Sequence, residues 1–207
     1  MEIAIIGPGR IGGNIARRFA RAGHHITLSF SRDQAKLDGL AADIGGTAGT
    51  PSEAVAGAEA VVISVPWSAI PDALEQVGSL ADKIVIDTTN QFGSGPMPAE
   101  GQTAAAFNAA RMPGARYTKS FNTLTSAFQE QTADRPADAR VVQWICGDDA
   151  GAKQEVAELL ASFGWAADSI VDLGGIDAAR GTEMYLALWI RLMGTQGTPQ
   201  FNIAVVR

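Results

Sequence analysis

One short stretch near the start of the chain restricts its fold more than any other. Gly7-Pro8-Gly9-Arg10-Ile11-Gly12 follows the apolar run Ile3-Ala4-Ile5-Ile6 with no spacer. Residues 2–6 read as a buried strand, and beyond the glycines Ile11, Ile15, Phe19 and Ala22 recur along one face of a helix. A lone G-x-G-x-x-G means little; strand, glycines and helix in that order specify a dinucleotide-binding turn. In such a turn Gly7 permits the tight bend, Gly9 lets a pyrophosphate approach the backbone, and Gly12 lets the helix pack close on the strand. The free N–H groups and positive dipole end of the helix then hold the phosphate. Pro8, Arg10 and Ile11 belong to the same cofactor-binding loop.

Gly23 ends that helix, and residues 25–29 read as a second strand. NAD-binding units place an acid at the end of this strand, against the ribose 2′-hydroxyl. Here the position holds Ser29-Phe30-Ser31-Arg32. An acid would repel a 2′-phosphate, whereas the Ser31 hydroxyl and Arg32 guanidinium bind one. Lys36, four residues further on at the start of the next helix, adds a second cation, while Asp33 fits as that helix's N-cap. The missing acid and the paired cations select NADP(H) over NAD(H).

The elements then alternate. Residues 46–49 give a short strand and 52–56 a helix; residues 60–65 are a continuous apolar run, as in a parallel strand covered on both faces. That run exits through Val65-Pro66-Trp67, placed to line the cofactor because ligands in such sheets bind beyond the carboxyl ends of strands. Trp67 has a second reading, as a hydrophobic lid over the helix that Ser68 and Pro71 open. Residues 83–87 form a strand leading into Thr88-Thr89-Asn90-Gln91, a turn-rich loop spans 93–101, and 103–111 is a helix. Residues 116–120 are a sixth strand, followed by Phe121-Asn122-Thr123; residues 129–139 are a polar excursion.

Residues 141–147 are a seventh strand, and Asp148-Asp149 cap a helix bearing Ala152, Val156, Leu159, Leu160 and Phe163. A short strand follows at 168–171. Residues 177–193 form a helix with two apolar stripes, Tyr185, Leu188 and Leu192 beside Leu186, Trp189 and Met193; residues 201–206 read as a closing strand. The expected fold is α/β, a Rossmann-type doubly wound, mainly parallel sheet with helices on both faces, ended by a short C-terminal extension of helix and strand. Because strands and helices alternate to the end, residues 1–207 read as a single domain.

Bulk properties narrow the function further. A net charge of −6 argues against nucleic acid, which needs a basic surface to displace counterions. No window reaches the length of an apolar membrane span, and the chain opens on a strand rather than a signal peptide. The single cysteine, Cys146, lies in an apolar run and suits core packing in a reducing cytoplasm. No metal-ligand spacing is present.

With the glycine loop, Ser31-Arg32, Val65-Pro66-Trp67 and Lys119-Ser120-Phe121-Asn122-Thr123 in place, the chain resembles the NADP oxidoreductases that use the deazaflavin coenzyme F420. The likeness extends over residues 1–193 and takes in Gly147-Asp148-Asp149 and the segment 173–180. It implies that Ser31, Arg32 and Lys36 bind the 2′-phosphate and that the glycine loop holds the pyrophosphate. It also implies that Val65-Pro66-Trp67 and Phe121-Asn122 border the place where nicotinamide meets a second ring. The same motifs resemble the cytosolic domain of six-transmembrane metalloreductases, which passes electrons from NADPH to flavin. NADP(H) is thus the expected cofactor, with F420, FMN or FAD as co-substrate, and a small-molecule electron acceptor the expected partner.

Hydride transfer between stacked rings demands no protein acid or base, since the cofactors carry the chemistry. His24 and His25 precede the second strand, away from carboxyl ends, and read as surface or packing residues. Lys119 either polarises a carbonyl or reaches solvent. Asn90 and Asn122 either orient a carboxamide or ring edge or satisfy local backbone. A β-hydroxyacid or imine reductase would need a further helical domain for its substrate chamber. A non-catalytic NADP-binding sensor and a ferric or flavin reductase are the alternatives to an F420-linked enzyme. The broad last helix and shallow acceptor side suit a homodimer.

Overall fold

The structure, a computed structural model, describes residues 1–125, 141–162, 164–203 and 205. One sheet holds β1 (Glu2–Ile6), β2 (His25–Ser29), β3 (Thr47–Ala48), β4 (Ala60–Ile63), β5 (Ile84–Asp87), β6 (Arg116–Ser120), β7 (Gln143–Cys146) and β8 (Ile170–Asp172). Their order is β3-β2-β1-β4-β5-β6-β7-β8, and every pair is parallel except β6 with β7. The helices are α1 (Arg10–Arg21), α2 (Gln34–Ile44), α3 (Pro51–Ala56), α4 (Ile70–Val77), α5 (Ala104–Ala109), α6 (Ala150–Ser162) and α7 (Ala179–Gln196). This is the Rossmann-like α/β arrangement, with chain direction across the sheet reversing between β1 and β4.

The inner strands are apolar on both sides, and the two-residue period divides them between two cores. Ile3, Ile5, Val62, Ile84 and Ile86 pack with α1, α2 and α6, Phe19 and Val156 among them. Ala4, Ile6, Val61, Ile63 and Val85 pack with α3, α4 and α5, including Val55, Ile70 and Phe107. Burying one Ile or Leu side chain contributes about 1.5–3 kcal/mol, so the strands hold their register by their side chains as much as by the ladder.

Local signals set the helix starts. Asp33 caps α2, its carboxylate accepting the Lys36 N–H at 3.1 Å. Thr50 and Glu53 form a reciprocal capping box on α3. Asp149 caps α6 through the Ala152 N–H at 2.8 Å. Asp148 does not share that cap: its carboxylate accepts the Ile176 N–H at 2.8 Å and pins the turn before α7.

The expected closing strand is not formed. Residues 201–203 and 205 lie in no strand. Gly197, at φ 66°, ends α7 in a left-handed turn, and the chain folds back on the helix. Phe201 stacks on Trp189, and the Tyr185 hydroxyl donates to Asn202 Oδ1 at 3.2 Å, so these two residues lie on a helix rather than a sheet edge. The polar excursion at 129–139 and Phe163 lie outside the described residues.

Candidate functional site

The carboxyl ends of β1, β2, β4, β5 and β6 lie along one rim of the sheet, and the glycine turn opens there. Gly7, at φ 89°, turns the chain with its N–H on Ser29 O; a Cβ there would stand 2.6 Å from Ser64 O. A Cβ on Gly12 would run into the Gly7 carbonyl. Gly9 differs, because a Cβ there would meet nothing within 4 Å. Gly9 also begins α1 with no side-chain cap, and the first turn holds no acid. The Gly7 and Gly9 N–H groups are taken by Ser29 O and Gly7 O, so it is the uncapped, acid-free first turn of α1 beside the open face of Gly9 that suits a pyrophosphate. Ile11 packs against the core below, and Arg10 is exposed.

At the exit of β2, Phe30 takes φ 62°, unusual for a bulky side chain, and its half-buried ring packs on the core. This bend carries Ser31 and Arg32 off the strand to the rim. Ser31 Oγ accepts the Asp33 N–H at 3.2 Å, shaping a tight turn. Arg32 is exposed and pairs with none of the described residues. Lys36 Nζ lies 3.2 Å from Asp33, an exposed pair that a phosphate can displace at little cost. A cleft of about 410 Å³ joins Pro8, Gly9 and Gly13 of the glycine turn to Lys36 and Leu40 of α2. Ser29, by contrast, is fully buried and donates to Gly49 O at 2.7 Å.

The other half of the rim corrects two expectations. Trp67 is only 3% exposed; its indole donates to Pro96 O at 2.8 Å and packs on Phe107. It packs beneath the 93–101 loop and supports it, and is no wall of an open site. Val65 is likewise buried, whereas Pro66 is exposed. Phe121, at φ 62° and 2% exposed, turns its ring into the core beside Ile145. Its bend presents the next residue, Asn122, to the rim.

Asn90 and Asn122 meet there. Asn90 Nδ2 donates to Asn122 O at 2.6 Å, and Asn122 Nδ2 donates to Asn90 Oδ1 at 3.1 Å and Thr182 Oγ1 at 3.3 Å. These bonds tie β5 and β6 to α7. Asn90 also lines a cavity of about 210 Å³ with Gln91, Gln102, Arg180, Glu183 and Met184.

Beneath that cavity lies a charged cluster whose extent exceeds what the sequence suggested. Lys119 neither reaches solvent nor lines the cavity: its side chain is 0% exposed, with Nζ 3.3 Å from Asp87 and 3.9 Å from Glu183. The ammonium also donates to Thr89 O. Asp87 accepts further from the Tyr117 hydroxyl, from Asn108 Nδ2 at 2.9 Å and from the Thr89 N–H at 2.7 Å. Burial pushes the Asp87 carboxyl up, but Lys119 and these donors outweigh it and hold it below the usual carboxylate range. Burial, then the Asp87 charge, push the Tyr117 phenol well above its ordinary value, so it stays a neutral donor. Glu183 accepts the Ala104 and Ala105 N–H groups at 2.8 and 2.7 Å, fastening α7 to the start of α5. Asp87, Asn108, Tyr117 and Glu183 escaped the sequence reading. One signal for them was available: Asp87 ends one buried strand and Lys119 is the penultimate residue of its neighbour, where the two are register partners.

His24 bridges the N-terminal amine and Ser162, a packing role far from the rim. Burial pushes the Cys146 thiol up to about 11, which makes it an inert core group. Among the described residues no helix is long and apolar enough to cross a membrane.

Comparisons with known proteins bear on the family and the fold. A family model described as NADP oxidoreductase, coenzyme F420-dependent, matches residues 2–91. A crystal structure assigned as an F420-dependent NADP reductase from Arthrobacter sp. FB24 is 31% identical, covers 100% of both chains and superposes with a TM-score of 0.85. A hypothetical protein from Sinorhizobium meliloti is also 31% identical, over 86% of this chain and 87% of its own, at TM-score 0.74. A reductive aminase from Aspergillus terreus, solved with NADPH4, cyclohexanone and allyl amine, shares the fold at 24% identity and TM-score 0.68. The match covers 95% of this chain, which spans 62% of the aminase's length. No curated protein gave a significant match. The full-length identity to the Arthrobacter protein, together with the matched family model, establishes that the chain belongs to the family of coenzyme F420-dependent NADP oxidoreductases.

Proposed function

We propose that this NADP-dependent oxidoreductase transfers hydride between NADPH and a deazaflavin of the F420 type or a flavin. The observation that carries the reading is the uncapped start of α1 beside the open face of Gly9, with Arg32, which pairs with none of the described residues, standing where NAD enzymes keep an acid. In this reading residues 7–12 hold the pyrophosphate. Ser31, Arg32 and Lys36 hold the 2′-phosphate. Val65 and Pro66 flank the path to Asn90 and Asn122, which orient the carboxamide. When bound, the nicotinamide supplies two electrons and one hydrogen as hydride, and solvent supplies the proton that completes reduction of the acceptor. The chain's own residues bind and orient: Lys119 and Asp87 set the backbone at Thr89, and Trp67 supports the loop above it.

The cavity at Asn90 is smaller than the ~300–1,000 Å³ that encloses a drug-sized ligand, so the acceptor ring lies at its open edge. Phe92, Met97, Met184 and Leu188 are exposed apolar side chains in the 91–103 loop and on α7. Beyond Tyr185 no residue of α7 is fully buried. The proposed assembly is a homodimer whose partner covers this helix and closes the acceptor side. A monomer in sedimentation at micromolar concentration would refute it. The proposed compartment is the cytoplasm, where the buried thiol of Cys146 stays reduced.

The test is anaerobic mixing of enzyme and NADPH with F420, FMN, FAD, riboflavin or a ferric chelate, followed at 340 nm. Rapid oxidation with F420 is expected; oxidation by none of them would sink the proposal. Arg32→Ala should weaken NADPH binding by about tenfold or more and leave NADH within twofold, since a charge-assisted phosphate contact contributes roughly 1.5–3 kcal/mol. Equal losses for the two dinucleotides would make Arg32 structural.

A further inference from the structure

The charges beneath the Asn90 cavity do not balance. Asp87 and Glu183 face the Lys119 ammonium, so two carboxylates against one ammonium leave a formal charge of −1. The other side chains that meet Asp87, Asn108 and Tyr117, are neutral donors. Arg180 lines the same cavity, but it is exposed and its guanidinium donates to Gly101 O, so water screens its charge. The negative excess is shielded far less: Asp87 is wholly buried, and the Glu183 side chain is 16% exposed. Glu183 and Asn90 line the same cavity.

We infer that Glu183 is a specificity-determining residue that makes the site bind oxidised NADP+ in preference to NADPH. The inference rests on the proposal that nicotinamide sits against Asn90. The oxidised ring carries one positive charge and the reduced ring none, while the rest of the dinucleotide has the same charge in both forms. A fixed negative charge at that cavity therefore acts on the difference between the two oxidation states. It disposes the site to release hydride toward the acceptor rather than to accept it. The plain structural role of Glu183, holding the start of α5 through two N–H groups, has a different signature, because its loss would affect both dinucleotides alike.

Titration by calorimetry separates these cases without turnover. Three ligands suffice: NADP+, NADPH and adenosine 2′,5′-bisphosphate, which has no nicotinamide. Wild type should bind NADP+ more tightly than NADPH, and the reverse order would overturn the inference before any variant is made. Glu183→Gln should weaken NADP+ by about three- to tenfold, as expected for removing one partly shielded charge, with the other two ligands unchanged within twofold. Glu183→Asp, which keeps the charge, should restore the preference. Equal weakening of all three ligands, or of none, would leave Glu183 as a helix tie and overturn the inference. Asn90→Ala tests the underlying placement separately. If it leaves both dinucleotides unchanged, nicotinamide does not sit there, and the site reading fails on its own.

Discussion

Lys119→Met should destabilise the protein by about 3–5 kcal/mol in urea unfolding, because it strands a buried carboxylate without its cation. Asp87 has no exposed surface, and its remaining partners are neutral donors. Replacing both partners, Asp87→Asn with Lys119→Met, should cost clearly less than the single change, since no charge is then left in the core. The pH dependence gives the sign. In wild type the Asp87 carboxyl is held below its unfolded value near 3.9, so its stabilisation is complete above that value and lost as pH falls through the lower folded value. Without Lys119 the desolvation that Lys119 had offset raises the folded value instead, and the penalty shrinks as protons are supplied. The stability gap between wild type and Lys119→Met should therefore narrow between pH 7 and about 5, moving toward the unfolded carboxyl value. A gap constant across that range would mean that the cost is lost packing rather than buried charge.

The same pair shows where sequence reading stops. The glycine turn, the buried runs of β1, β4 and β5 and the Asp33 cap are local patterns, and the folded chain keeps all of them. The exit of β2 was legible too, since a missing acid and a following arginine lie within four residues. Lys119 was visible as an ionisable group near the rim, but its partners are distant in sequence, and no periodicity reveals such a pairing. Side-chain direction was lost at Phe121 for a different reason. Its left-handed backbone sends the ring into the core, and no preference of a phenylalanine predicts that angle. Trp67 was undecided because burial depends on the 93–101 loop that folds over it. The reversal at β7 follows a long connection from β6, and the closing strand fails after the tight turn at Gly197. In the second case a helix face at Trp189 competed successfully for Phe201.

Two glycines of the first turn, three residues apart, should respond to alanine in opposite ways. Gly12→Ala places a methyl against the Gly7 carbonyl and 3.0 Å from Ser64 Cβ, both fixed by the β1–β4 packing. The strain of overpacking such a spot is about 1–3 kcal/mol, so the variant should melt lower whether or not cofactor is present. Gly9→Ala meets no atom within 4 Å, and its φ of −74° is one that alanine adopts without strain. Its stability should stay within about 1 kcal/mol of wild type, the usual scale of an N-cap change. Binding should nonetheless fall by about tenfold or more for NADPH and NADH alike, because the methyl fills the space in which a pyrophosphate oxygen would meet the helix N–H groups. That equal loss contrasts with the NADPH-selective loss expected from Arg32→Ala, and calorimetric titration of the same two ligands distinguishes them. A Gly9→Ala protein that bound both dinucleotides normally would remove the pyrophosphate from this turn. The open face of Gly9 would then be a surface without a ligand, and the assignment of Arg32 to the 2′-phosphate would lose its anchor.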